Sequence, residues 1–136
     1  VNANMLGRMD DLGLTLDETL ALASIVQAEA PTSNQMKLVS SVFWNRLNDS
    51  ETFPRLESDP TKKYAALSGI ELYDTYKSEG VPPGAICNPG ADAINAVLYP
   101  EQTDYYFFCS NLTTQEFYYA KTLKQHEKNL AEAGLI

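Results

Sequence analysis

The sequence predicts an α+β fold that is rich in helix, with a helical hairpin near its start and a small antiparallel sheet near its end. Apolar residues recur at helical spacing behind capping-box patterns over 16–30 and 33–48. Two runs rich in aromatic residues, at 105–109 and 117–120, are typical of strands. The chain has 136 residues, 44% of them hydrophobic, which suits one domain with its own core.

The first predicted helix is LDETLALASIVQAEA, residues 16–30. Thr15 and Glu18 match a capping box at its start, and Pro31 ends it because proline disfavours helix in the residue before it. The pattern predicts an amphipathic helix.

Glu29 shares the apolar face of this helix. It follows Leu22, Ile25 and Val26 at the spacing i, i+3, i+4 and i+7. An apolar setting raises a carboxyl pKa above its ordinary value of ~4.3, so that the acid can still donate a proton near neutral pH. The alternative is that the helix tilts and Glu29 lies in water at an exposed helix end.

The second predicted helix covers 33–48, and Thr32 with Gln35 again matches a capping box. Since only a few residues around Pro31 join the two helices, they should pack as neighbours. The prediction is a helical hairpin with Glu29 at its bend.

The middle of the chain is predicted to be mostly irregular. Residues 49–61 read as a loop, in which Asp59 and Pro60 suit the N-cap and first position of a short helix ending near Leu67. Residues 69–79 give a mixed pattern.

The next segment, 80–90, holds three prolines and three glycines in GVPPGAICNPG and predicts a stiff loop. A short helix should follow over 91–99, ended by Pro100. After the two strands, Thr122 and Gln125 offer a third capping box, for a last helix ending near residue 134. Because a lone hairpin is marginally stable, another strand or helices should pack on it.

Composition excludes several classes of function. The net charge of −8 argues against binding nucleic acid or anionic lipid through this domain. No apolar run approaches the ~18 residues that span a bilayer. The chain opens with VNANMLGRMDDLG rather than Met, so we expect it to be a piece of a longer protein.

Cys87 and Cys109 are the two cysteines. The favoured interpretation is two buried thiols, and the alternative is one disulfide. With no metal-ligand spacing and one histidine, we expect no metal site, and no pattern indicates a cofactor.

Four motifs, in this order, resemble the YceG/MltG family of endolytic murein transglycosylases. They are ALASIVQAEA (21–30), FWNRL (43–47), ESDPT (57–61) and YDTYKSEGVPPGAICNPG (73–90). The tail is also similar, in TDYYFFCS (103–110), FYYAKT (117–122) and His126. The resemblance covers about residues 16–130. It implies that residues 1–136 form a single catalytic domain.

The resemblance implies a reaction and a residue for it. The family's catalytic glutamate matches Glu29, while the position that often holds a second glutamate is Gln27 here. The reaction cleaves the β-1,4 bond between N-acetylmuramic acid and N-acetylglucosamine, with one glutamate acting as acid and then as base. The product is a 1,6-anhydro end. No cofactor is implied.

The resemblance also implies a setting. Family members have one N-terminal membrane span and a LysM-like subdomain, and their catalytic part faces the cell wall. The expected partners are peptidoglycan glycan strands and proteins of wall synthesis. We therefore expect the full-length protein to be anchored in the cell membrane.

The remaining predicted substrate contacts lie in the four motifs: Asn45, Glu57, Ser58, Asp59, Tyr73, Asp74, Tyr76 and Asn88. Glu57, Asp74 and Phe117 depart from the family pattern, which often has Gln, Asn and His there. Extra carboxylates near Glu29 would raise its pKa further.

Several of these assignments have structural alternatives. Glu57 or Asp59 could stabilise positive charge on the sugar, although Asp59 suits an N-cap better. Asn45 could bind sugar or pin the helical hairpin to a loop. The tyrosines could stack on sugars or lie in the core, and Asn88 could order its loop or line the groove. His126 is predicted to be a structural or surface residue.

Two rival functions remain. One is a non-catalytic wall-binding or scaffold module that keeps the fold. The other is a pyridoxal-phosphate-dependent aminodeoxychorismate lyase, which needs a lysine in a phosphate-lined pocket.

Overall fold

The computed structural model describes residues 2–136, which form six α-helices, one 3₁₀ turn and a two-stranded sheet. The order is α1 (Ala3–Leu12), α2 (Leu16–Glu29), α3 (Ser33–Asn48), α4 (Asp59–Ser68), the 3₁₀ turn (Glu71–Tyr73), α5 (Ala91–Leu98), β1 (Phe107–Ser110), β2 (Phe117–Ala120) and α6 (Leu123–Glu132). The predicted α+β class and the C-terminal hairpin are confirmed.

Helix α1 lies where the sequence patterns gave no element. The side chain of Asn2 caps it by accepting the backbone N–H of Met5 at 2.9 Å. Gly13 ends it in the left-handed conformation, with φ 73°. Arg8 then ties α1 to the end of α5 by donating to the carbonyl of Leu98 at 2.8 Å. Only Met9 of this helix is fully buried, but Met5, Met9 and Leu12 recur at helical spacing, so an apolar face is present that the sequence analysis did not single out.

Helix α2 is the centre of the fold. The predicted capping box is present, with Thr15 and Glu18 each accepting the other's backbone N–H. Every residue from 21 to 26 is buried, so α2 is covered on all sides by its neighbours, chiefly α5 and α3. The prediction of an amphipathic helix is therefore wrong, because a helix buried all round needs no polar face.

The core lies where α2, α3 and α5 meet. Leu22 and Ile25 of α2, Phe43 of α3 and Val97 of α5 are completely buried there. The indole N–H of Trp44 donates to the carbonyl of Val97 at 2.9 Å and fixes α3 against α5. The predicted helical hairpin of α2 and α3 is confirmed, and α5 completes its core.

The other two predicted capping boxes are single caps. Thr32 and Thr122 each accept the backbone N–H of the glutamine three residues on. The side chain of Gln35, however, accepts the hydroxyl of Tyr119, and that of Gln125 donates along its own helix. A tertiary contact takes the side chain of Gln35, and a contact within α6 takes that of Gln125, so neither closes its box.

Helix α4 begins one residue earlier than predicted. Ser58 is its N-cap, Asp59 its first residue and Pro60 its second. The prediction of Asp59 as N-cap is wrong because its carboxylate accepts the hydroxyl of Tyr76 instead. The segment 80–90 is irregular, as predicted.

The two strands pair antiparallel, with Phe107 opposite Ala120 and Ser110 opposite Phe117. Strand β1 begins two residues later than predicted, since Asn45 of α3 holds the carbonyl of Tyr105. Helix α6 packs on both strands, which confirms the predicted helical cover.

Both cysteines are free thiols, so there is no disulfide. Cys109 is buried as expected, but Cys87 is exposed, and for Cys87 the expectation is wrong. Within residues 2–136, none of the helices combines the length and the apolar character required to cross a membrane.

Candidate active site

Glu29 is the last residue of α2 and lies half-buried at the bend before α3. Its Oε2 accepts a hydrogen bond from the hydroxyl of Ser58 at 3.1 Å. Burial raises the pKa of Glu29 to about 7; the Ser58 hydrogen bond lowers it and the charge of Asp59 raises it. A carboxyl with this pKa can donate and accept a proton near neutral pH.

Ser58 is held rigidly beside Glu29. Its backbone N–H donates to the hydroxyl oxygen of Thr75 at 2.8 Å, and its carbonyl accepts the hydroxyl of Thr61 at 2.7 Å. The hydroxyls of Thr61 and Thr75 bond each other at 2.7 Å. All three residues are buried, so the position of the Ser58 hydroxyl is fixed.

Asp59 and Tyr76 form a second polar pair near Glu29. The hydroxyl of Tyr76 donates to Asp59 at 2.6 Å. Burial and this hydrogen bond raise the pKa of Tyr76, which keeps the phenol protonated. The buried carboxylate of Asp74 accepts the backbone N–H of Tyr76 at 2.9 Å and fixes its backbone. Asp59 itself remains exposed and ready to face a ligand.

Arg46 and Glu57 form a third polar pair. The buried guanidinium of Arg46 contacts Glu57 at 3.2 Å and donates to the carbonyls of Tyr106 at 2.7 Å and Arg55 at 2.9 Å. Glu57 is 46% exposed and has a left-handed backbone, with φ 57°. Arg46 therefore holds together α3, the loop before α4 and the start of the sheet.

These groups line a cleft of about 460 Å³, hereafter the larger cleft. Its polar side holds Glu29, Glu57, Asp59 and Tyr76, and its opposite wall is the segment 106–110 with parts of α6. Arg46 also lines the cleft and is its one arginine or lysine within residues 2–136. The site is thus a concave surface with three carboxyl groups on one side and an aromatic wall on the other.

His126 is a cleft residue that the sequence reasoning missed. Its ring stacks on Phe107 at 5.0 Å, and burial together with the charge of Arg46 lowers its pKa. Its Nδ1 is buried and has no hydrogen-bond partner among residues 2–136. A histidine at a helix start gives no local signal that distinguishes a cleft wall from a surface.

Five of the eight predicted substrate contacts do not line the larger cleft: Asn45, Ser58, Tyr73, Asp74 and Asn88. Asn45 donates to the carbonyls of Thr103 and Tyr105, which supports the alternative that it pins the helical hairpin to a loop. Tyr73 packs edge-on against Tyr64, and Asn88 is exposed in its loop. Ser58 is next to the cleft but buried beneath Glu29.

A smaller cavity of about 280 Å³ lies on the other side of Glu29, between the α2–α3 bend and the turn of the β-hairpin. The sequence reasoning did not single out this cavity, because its two sides come from segments more than 75 residues apart, such as Gln27 and Gln115. Among residues 2–136, no group of three or more His, Cys, Asp or Glu side chains is placed to hold a metal ion.

Residues 2–132 match the family model described as the YceG-like family. A Bacillus subtilis (strain 168) protein named endolytic murein transglycosylase is 35% identical over 126 residues, which is 85% of this chain and 34% of that protein. A Streptococcus pneumoniae (strain D39) protein of the same name is 32% identical over 135 residues, covering 88% of this chain and 24% of that one.

The comparison with solved structures also finds a YceG-like protein with a similar fold. The crystal structure of a YceG-like protein from Listeria monocytogenes superposes with a TM-score of 0.83 at 35% identity. That match covers 93% of this chain and 44% of the Listeria chain. The chain thus spans about a third or less of the length of the curated relatives that it matches.

Proposed function

This chain belongs to the YceG-like family, and from that premise we propose that it is the catalytic domain of an endolytic murein transglycosylase. The observation that carries the proposal is Glu29, a half-buried carboxyl with a pKa of about 7 that lines both cavities. The names of the relatives supply the substrate class, which is peptidoglycan.

The proposed reaction uses Glu29 twice. Its protonated carboxyl gives a proton to the oxygen that links N-acetylmuramic acid to N-acetylglucosamine, and the bond from C1 to that oxygen breaks. The carboxylate then takes the proton of the muramic acid C6 hydroxyl as that oxygen bonds to C1. The proton returns to Glu29, no water is consumed, and the product is a 1,6-anhydro end.

Positive charge develops on the muramic acid ring during this reaction and needs a negative neighbour. Asp59 is exposed beside Glu29, and Tyr76 orients it through the 2.6 Å hydrogen bond. The carboxylate of Glu57 is instead paired with the guanidinium of Arg46. We therefore assign charge stabilisation chiefly to Asp59, because a preorganised carboxylate in a partly dry cleft acts strongly on a developing cation.

The wider setting is also part of the proposal. Full-length relatives are about three to four times longer than the matched part, judged from coverages of 34% and 24%. We propose that the full-length protein is membrane-anchored, with this domain on the cell-wall side and acting alongside wall-synthesis proteins. The pyridoxal-phosphate alternative lacks support, since no lysine of residues 2–136 lines either cavity.

The test is digestion of purified peptidoglycan, with mass spectrometry of the released fragments. Wild type should generate anhydro-ended muropeptides, and Glu29→Gln should reduce their rate of formation by at least about 10²-fold, because one group supplies both proton transfers. Glu51→Gln is the matched control, since it makes the same change at an exposed site outside both cavities.

Two outcomes would contradict the proposal. Equal rates for Glu29→Gln and wild type would remove Glu29 from the reaction. Retention of the protein on peptidoglycan without any anhydro ends from the wild type would favour the non-catalytic wall-binding module.

A further inference from the structure

The smaller cavity differs from the larger cleft in chemistry although the two share part of their lining. Both are lined by Glu29, Ser110 and Leu112, so they meet at the acid. Apart from Glu29, the smaller cavity is lined by no charged side chain of residues 2–136. Its polar side chains are instead the hydroxyl of Ser110 and the amides of Gln27, Asn111 and Gln115.

Two of these amides have a fixed orientation. The Oε1 of Gln27 accepts the backbone N–H of Gly90 at 2.9 Å. The Oδ1 of Asn111 accepts the backbone N–H groups of Thr113 and Thr114 at 2.8 and 2.9 Å. Their carbonyl oxygens are therefore engaged, and within residues 2–136 their NH₂ groups have no protein partner. The cavity offers neutral hydrogen-bond donors, which suit carbonyl and hydroxyl oxygens.

The backbone supplies an independent indication. The backbone of Gln115 has φ 61°, in the left-handed region that residues other than glycine rarely adopt. Within residues 2–136 it shares this with one other non-glycine residue, Glu57, which lines the larger cleft. Such backbone strain is concentrated at ligand sites, because the surrounding structure must hold it in place. Here one strained residue lies in each cavity.

We propose that the smaller cavity is the subsite for the N-acetylated sugar on the leaving-group side of the cleaved bond. The inference rests on the proposed transglycosylase function. The sugar that becomes positively charged should lie with Asp59 and Glu57 in the larger cleft, where carboxylates stabilise it. The sugar that leaves carries no such charge, and its acetamido carbonyl and hydroxyls match the amide donors of Gln27 and Asn111.

This arrangement has a consequence for the substrate. Because both cavities are open to the surface and share Glu29, a glycan strand that occupies both can extend in both directions from the cleaved bond. The acid then acts within a strand rather than at its end.

Binding can be tested with chitotetraose, a β-1,4-linked tetramer of N-acetylglucosamine. The measurement is an NMR titration of the Glu29→Gln protein, which should bind the tetramer without cleaving it. The side-chain amide signals of Gln27, Asn111 and Gln115 should shift on titration. Adding Ala28→Trp, which fills the smaller cavity from an exposed helical position, should weaken binding at least tenfold. Ala66→Trp is the matched control on exposed α4, outside both cavities.

A second variant tests the subsite with a substitution that should not impair folding. Gln115→Gly removes one amide and relieves the left-handed strain, because glycine adopts positive φ freely. It should weaken chitotetraose binding about threefold while the protein keeps or gains thermal stability.

The outcomes separate the subsite from the reaction. Amide signals that stay still, or equal binding with Ala28→Trp and Ala66→Trp, would overturn the subsite. Anhydro ends formed by a single Ala28→Trp variant as fast as by Ala66→Trp would also overturn it, with the proposed function intact. Amide shifts together with a wild type that forms no anhydro ends would keep the sugar site and sink the proposed function.

Discussion

Burial raises the pKa of Glu29, and the hydroxyl group of one residue, Ser58, lowers it. Ser58 donates to its Oε2 at 3.1 Å, and this bond favours the ionised carboxylate against the burial that disfavours it. Ser58 is therefore a positioning residue that also adjusts the pKa of the acid.

Removing that hydroxyl should raise the pKa of Glu29. In Ser58→Ala the carboxylate loses its donor while its burial is unchanged, so a titration of the Glu29 carboxyl carbon by NMR should move to higher pH. The pH–rate profile for forming anhydro ends should move the same way. Ser40→Ala is the control, because it deletes a buried hydroxyl that has no hydrogen-bond partner among residues 2–136 and lies in α3 outside both cavities. An unchanged Glu29 titration in Ser58→Ala would contradict the assignment.

At the level of helices and strands, local signals predicted the elements on which Glu29 depends. The capping box of Thr15 and Glu18 and the stop at Pro31 gave the bounds of α2 to within one residue. Local signals failed where a tertiary contact took the group concerned, as when Tyr76 engaged Asp59 and Ser58 became the N-cap of α4 instead. Helix α1 was missed although Met5, Met9 and Leu12 recur at helical spacing and Asn2 caps its start.

Arg46 joins three elements, and its removal should therefore be costly. Arg46→Met keeps the apolar stem but leaves the carbonyls of Tyr106 and Arg55 and the carboxylate of Glu57 without their donor. We expect a loss of about 2–4 kcal/mol in the free energy of unfolding, measured by urea denaturation, because three acceptors lose one buried, charged donor that joins them.

The control for Arg46 is the surface ion pair of Lys77 and Glu71, whose side chains are 63% and 73% exposed. Lys77→Met should change the free energy of unfolding by less than about 0.5 kcal/mol, since solvent already screens that pair. A loss for Arg46→Met as small as that for Lys77→Met would show that Arg46 does not organise the cleft.

Across the whole molecule, the sequence singled out a candidate acid but not its surroundings. The family resemblance pointed to Glu29, whereas the amphipathic pattern did not hold, because residues 21–26 of α2 are all buried. The cleft wall from Tyr106 to Ser110, the ring of His126 and the smaller cavity come from segments distant in sequence. Their positions depend on how the hairpin and α6 pack against the helices, and no local pattern encodes that packing.

The buried acid should also leave a mark on global stability. Its pKa is about 7 in the folded protein against 4.5 ordinarily, so between these pH values the folded state binds more protons than the unfolded state. The free energy of unfolding should therefore fall as pH rises through this window. The shift corresponds to up to about 3 kcal/mol for this one group.

Glu29→Gln isolates this contribution, because glutamine keeps the shape of the side chain and cannot ionise. Wild type and variant should differ least near pH 4.5, and the variant should gain on the wild type by up to about 3 kcal/mol as pH approaches 7. Glu51→Gln, at an exposed position, should follow the wild-type curve throughout. Urea denaturation at a series of pH values measures all three proteins. Parallel curves for wild type and Glu29→Gln would mean that Glu29 titrates as an ordinary exposed carboxyl, and the acid–base role would lose its physical basis.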